Sequence, residues 1–291
     1  MIIESKEDLL KWYDEKYCLE AIKQNPWALQ YVHNQTEEIC LEAVKKNGDI
    51  LQFVYNQTEK ICLEAIKQNP WALQYIHDQT EKICLEAVKY DGLLLRFVKN
   101  QTEKICLEAI KQDGEALKYI RNQTEKMCLE AIKQDPWALQ YIKNPTKEIY
   151  LAVIKQDPWI LPHIKNLTEE ICLEAVKQDG NTLQYVENQT EKICLEAVKQ
   201  NPWALLYIKK LTKKIYLAAV KKSGLVLRYI KNPTEEICLE AVKQDGEALK
   251  YVKNPTEEMC LIALNKNIKA IKYIDIKKFP KVYEKYLFMV K

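Results

Sequence analysis

The ten cysteines of this 291-residue chain fall on a single grid. Cys18, Cys40, Cys62, Cys84, Cys106, Cys128, Cys172, Cys194, Cys238 and Cys260 are spaced by 22 residues or a multiple of it, and the two empty grid points hold Tyr150 and Tyr216. Twelve repeats therefore run from Asp14 to residue 277 without an insertion or deletion. Self-similarity at a period of this length is the mark of a repeat architecture, in which each unit contacts only its neighbours.

Numbered from its threonine, the repeat reads T-E-K-I-C-L-E-A-V-K-Q-D-(P/G)-x-A-L-Q-Y-I-K-N-Q. Position 1 is Thr in eleven repeats and Asp14 in the first, both helix N-caps, with Glu usually following where the helix dipole favours it. Apolar residues at positions 4, 5, 8 and 9 (Ile83, Cys84, Ala87 and Val88 in the fourth repeat) form one side of a helix. Position 12 is Asn, Asp or once Ser, a second N-cap, and Pro at position 13 suits the first turn of a second helix. Positions 15, 16, 18 and 19 make that helix's apolar stripe, while 14, 17 and 20 form its variable face. No strand-like alternation occurs, and one short hairpin buries too little to persist alone. The expectation is an all-α fold: an α-solenoid superhelix of twelve helix-turn-helix repeats with terminal caps.

The caps are assigned to residues 1–13, with Leu9, Leu10, Trp12 and Tyr13 over the first repeat, and to residues 278–291, where Tyr283, Tyr286, Leu287 and Met289 are expected to cover the last. A longer period lies within the array. Position 13 runs Pro26, Gly48, Pro70, Gly92, Gly114, Pro136 and then Pro158, Gly180, Pro202, Gly224, Gly246, so the block 14–145 reads as duplicated in 146–277. The seventh repeat is the least regular, and Pro162 inside its second helix predicts a kink.

Little in the composition points to catalysis. Six glycines disfavour phosphate loops, three histidines leave little for metal or acid–base chemistry, and no apolar run reaches the ~18 residues of a membrane helix. The cysteines match no zinc spacing, and equivalent positions on helices about 8–10 Å apart lie beyond disulfide reach, so they read as reduced core residues of an intracellular protein. The six Asn-x-Thr sequons, from Asn34 to Asn188, each end in an N-cap threonine and read as caps instead of glycosylation sites. His33 and His77 read as surface residues. No catalytic, cofactor or metal site is expected, and no enzymatic activity.

Three features are candidates for recognition. Position 17 places Gln30, Gln52, Gln74, Arg96, Lys118, Gln140, Arg228 and Lys250 on the variable face. The segment Lys209–Lys222 carries six lysines and no acid, among them Lys209, Lys210, Lys213 and Lys214, in a chain whose net charge is only +3. Finally, Trp27, Trp71, Trp137, Trp159 and Trp203 follow the prolines. Each lies four residues before the residue at position 18, and contact across that i,i+4 spacing is expected. Such a ladder can stack nucleobases or grip a peptide, but filling inter-repeat grooves is its commoner use and is expected here.

Segments such as Cys-Leu-Glu-Ala-Val-Lys-Gln-Asp-Gly-Glu-Ala-Leu-Lys-Tyr-Val from Cys238 resemble the repeat called domain of unknown function 4116, and the resemblance covers residues 14–277. That family is abundant in giant viruses of amoebae, which agrees with a basic complement holding only three arginines, and it implies no reaction. The expected function is a non-catalytic, monomeric scaffold in the (host) cytoplasm that presents a superhelical surface to a protein or extended peptide. The alternatives are single-stranded nucleic-acid binding, disfavoured by the near-neutral charge, and a structural role in a virion or assembly.

Overall fold

The computed structural model describes residues 10–290, and among them there is no strand. The chain divides into two compact halves on either side of the Ile149–Tyr150 peptide, inside the first helix of the seventh repeat (Lys147–Gln156). Each half is an all-α solenoid whose main packing contacts, among the described residues, run within a repeat or between adjacent repeats.

Every repeat consists of a ten-residue α-helix and a six-residue 3-10 helix, such as Glu59–Gln68 and Pro70–Tyr75. The threonine caps are made as the sequence implies: in the third repeat Thr58 Oγ1 accepts the Ile61 N–H at 3.4 Å. Position 12 has two roles. Asn69 is extended (φ −145°, ψ 105°); its N–H closes the α-helix on the Ala65 carbonyl, and its Oδ1 accepts the Trp71 N–H to open the next helix. One residue therefore makes the whole turn, and only Ser223 lacks the side-chain cap bond among the described second helices.

The second helix differs from an α-helix because it has six residues only. Within so short a segment, i→i−3 bonding closes more rings than i→i−4 bonding does. The three-residue period also aligns the side chains usefully. In the second repeat Gly48, Leu51 and Val54 (positions 13, 16 and 19) form one buried row with Ile50 beside it, and Asp49, Gln52 and Tyr55 form the outward row. Pro162 neither shortens nor breaks its segment, which runs Pro158–His163 like the others. Lacking an N–H, Pro162 gives up a single i→i−3 bond in this 3-10 hexamer.

Position 13 sets how closely the next repeat approaches. A Cβ on Gly48, Gly92 or Gly224 would stand 2.3–2.4 Å from the carbonyl oxygen of Ala65, Ala109 or Ala241, the position-8 alanine of the following helix. At Gly114 the same distance to Ala131 is 3.3 Å.

At the start of the array Trp12 is buried, edge-on to Tyr17 at 5.3 Å and tilted against Tyr31 at 5.5 Å, while Tyr13 stacks on His33 at 4.6 Å. Leu10 is exposed, and Leu9 lies outside the described residues. At the other end the helix Pro280–Met289 packs on the last repeat through Phe279 and Val282. This differs from the expectation: Tyr283, Leu287 and Met289 are exposed and Tyr286 is half-buried. The helix turns its one inward stripe through Val282, and the residues a turn further on face out.

Candidate interaction surfaces

The outward row of the 3-10 helices carries the position-17 residues, and all eight candidates are exposed. Residues three apart eclipse in this helix, so position 17 sits over position 14. Gln30 and Gln52 donate to the carbonyls of Trp27 and Asp49 at 3.0 and 2.9 Å, and Lys118 pairs with Glu115 at 2.9 Å. Arg96 lays its guanidinium over Trp71 of the preceding repeat at 4.5 Å and over Phe97 at 4.8 Å. Arg228 and Lys250 lie over Tyr229 and Tyr251 at 4.9 and 5.4 Å. Gln74 and Gln140 complete the row.

Four of the tryptophans find their ring partners outside their own repeat, and not in the residue four ahead. Trp27, Trp71, Trp159 and Trp203 contact the position-18 aromatic of the next repeat (Phe53, Phe97, Tyr185 and Tyr229), edge-on at 5.4–6.0 Å. The reason is the helix type: at about 120° per residue, positions i and i+4 point apart. These four fill inter-repeat grooves while leaving each indole about two-fifths exposed, and Trp137 is exposed to a similar degree.

Much of the lysine segment is engaged within the chain. Lys209 donates its Nζ to the Glu187 carbonyl at 3.1 Å, Lys213 pairs with Glu236, and Lys214 pairs with Glu191 at 3.6 Å. Lys210 is exposed. The pairing of Lys214 belongs to a ladder in which position 3 of one repeat meets the Glu at position 2 of the repeat before. Lys60–Glu37, Lys82–Glu59, Lys104–Glu81 and Lys126–Glu103 lie at 3.5, 2.7, 2.9 and 2.8 Å. The hydrogen bond from Lys82 holds the Glu59 carboxyl below the usual carboxylate range.

The thiols are buried and unpaired. Burial pushes those of Cys40, Cys62, Cys84 and Cys260 up to about 11, away from the thiolate a nucleophile or metal ligand requires. Among the described residues no group of three or more His, Cys, Asp or Glu side chains could hold a metal ion, and no helix is long and apolar enough to cross a membrane.

One recurrent site was missed in the sequence. The glutamine at position 22, the middle residue of each Asn-Gln-Thr and of Asp78-Gln79-Thr80, staples successive repeats. Gln79 Nε2 donates to the Leu73 carbonyl of its own repeat at 3.3 Å and to the Phe97 carbonyl of the next at 3.0 Å, while its Oε1 accepts the Lys99 N–H at 2.9 Å. Gln35, Gln57, Gln101, Gln123 and Gln189 make the same three bonds. Its signal was present: neither a cap nor a sequon requires glutamine there, yet it recurs. Elsewhere position 22 holds Pro145, Leu167, Leu211, Pro233 or Pro255, and Lys277 in the last repeat. Each of the five joints in the first half is stapled, against one of five in the second.

No curated protein and no solved structure matches the chain. One family model matches it repeatedly, at residues 14–58, 36–80, 58–101, 80–125, 102–145, 146–190, 168–212, 190–233, 212–255 and 234–279. Each match takes in two successive repeats, so what that model describes is the helical pair together with the joint to its neighbour. The chain belongs to the family described as Domain of unknown function (DUF4116).

Proposed function

We propose that this protein is a non-catalytic binding scaffold that recognises another protein or an extended peptide along the outward row of its 3-10 helices. The observation that carries the reading is a division of labour within each repeat. Capping and core positions are nearly constant and are consumed internally, whereas position 17 is exposed in every repeat, position 14 is exposed or half-buried beside it, and both change from repeat to repeat. Gln52, Gln74, Arg96, Lys118 and Gln140 thus follow one another on equally built supports, as a recognition surface read by successive residues requires. The inter-repeat Lys–Glu ladder disfavours nucleic acid, because it neutralises the lysines that phosphates would need. The resemblance to repeats of giant viruses and the lysine-for-arginine usage support a viral origin and a host protein as partner.

The test compares wild type with Gln52→Ala/Arg96→Ala/Lys118→Ala/Gln140→Ala in affinity capture from host lysate. Proteins held by wild type and lost by this folded variant support the ridge as the recognition surface. Identical retention by both, or retention of RNA that falls away steeply with salt, overturns it.

A further inference from the structure

The staple defines a recognition unit of three main-chain groups: the position-16 carbonyl of one repeat, and the position-18 carbonyl and position-20 N–H of the next. After the seventh repeat position 22 is Leu167, which offers no amide to Leu161 C=O, Tyr185 C=O and Glu187 N–H. After the tenth it is Pro233, and the corresponding groups by register are Leu227 C=O, Tyr251 C=O and Lys253 N–H. These joints differ from the rest in backbone. Among the described residues, the non-glycine residues with positive φ are Asn166 (60°) and Asn232 (51°), each immediately before the substituted position. Left-handed φ is uncommon outside glycine, with asparagine among the residues that tolerate it best.

Each asparagine also borders an open cavity. The one at Asn166 has a volume of about 480 Å³ and is walled by Ile164, Leu167, Tyr185, Val186, Glu187 and Ile193. The one at Asn232 measures about 410 Å³ and includes Pro233, Val252 and Lys253. A third, also about 410 Å³, lies at a stapled joint, and there Gln123 itself forms part of the wall. Pro145, Leu211 and Pro255 replace glutamine as well, yet the residue before each keeps an ordinary φ.

We propose that the Leu167 joint is a binding site for a primary carboxamide, presented as a glutamine side chain by an extended partner peptide. The chain's own glutamines supply the argument. Six times over, the same three main-chain groups take up one amide, using two donors and one acceptor in a pattern that a carboxylate cannot match, because it has no N–H to give. The apolar wall of Ile164, Val186 and Ile193 suits the methylene stem of such a side chain. The Pro233 joint offers a second copy of the same groups, three repeats further on. The site lies at the inter-repeat turns and not on the 3-10 ridge, so it stands or falls separately from the ridge.

The experiment is amide NMR of the full chain titrated with a blocked Asn-Gln-Thr tripeptide, the chain's own staple sequence. A saturable shift of the Glu187 N–H resonance is expected, about tenfold weaker with Asn-Glu-Thr and absent from Leu167→Gln, whose amide fills the slot. The ridge variant above should respond as wild type. No saturable shift at Glu187, an equal response to Asn-Glu-Thr, or an undiminished response in Leu167→Gln overturns the proposal.

Discussion

At Gly92 a methyl group would meet the Ala109 carbonyl oxygen at 2.3 Å, whereas at Gly114 the equivalent contact with Ala131 is 3.3 Å. Neither glycine has positive φ, so conformational strain plays no part in the comparison. Gly92→Ala is therefore expected to cost about 1–3 kcal/mol by forcing two repeats apart, and Gly114→Ala to stay within about 0.5 kcal/mol. Urea unfolding of both variants measures the contrast. Gln79→Glu removes both staple donors while keeping the shape, and a loss of about 1–3 kcal/mol is expected in the same assay. The cysteines give a pH dependence. Unfolded thiols ionise near about pH 8.5, while those of Cys40, Cys62, Cys84 and Cys260 are held to about 11 by burial. The unfolded chain then binds fewer protons, so stability is complete below pH 8 and falls as pH climbs from about 9 to about 11. Thermal melts across that window test the sign, and slow reaction of the native thiols with a disulfide reagent at neutral pH tests the burial. The caps and the core cysteines were legible from the sequence, since both are decided within one helix. The staple was not: its partners lie 18 and 20 residues further along, and only the stacking of repeats brings them near.

Helix type is where sequence and structure part. The apolar positions 15, 16 and 19 satisfy a 3.0- and a 3.6-residue period almost equally over six residues, so periodicity alone cannot separate them. The misplaced tryptophan contact follows from that ambiguity, since an i,i+4 pair exists only if the helix is α. With the geometry known, the neighbour becomes the partner: Trp71 touches Phe97 and carries the Arg96 guanidinium. Trp71→Ala is expected to destabilise by about 1–3 kcal/mol through both contacts. Trp71→Ala/Arg96→Ala should cost less than the sum of the single changes, and a double-mutant cycle reads the coupling directly. Additive losses would mean that the stacking contributes nothing.

For the molecule as a whole, the two halves share one repeat but not one kind of joint. In the first half, Gln35, Gln57, Gln79, Gln101 and Gln123 tie every repeat to the next; in the second, Gln189 acts alone. Nearest-neighbour terms set the cooperativity of a linear array, and each staple adds hydrogen bonds of about 1 kcal/mol net. Hydrogen exchange should therefore show residues 10–149 protected more strongly than residues 150–290, and mild denaturant should open the second half first. Uniform protection along the array would contradict this. The count of repeats and their register were readable from the cysteine grid, and the all-α class from the caps and the helical spacing of apolar residues. The inequality of the halves was not, because it resides in a residue whose importance appears only once neighbours are stacked.

The staple has a further consequence for ancestry. Its amide grips peptide groups, which every amino acid except proline supplies in full, so no matching substitution is demanded of the segment that comes next. Cassettes can then be copied, deleted or reordered by recombination and still lock to whatever follows them, and a lineage using this motif can change its reach without first re-evolving its seams.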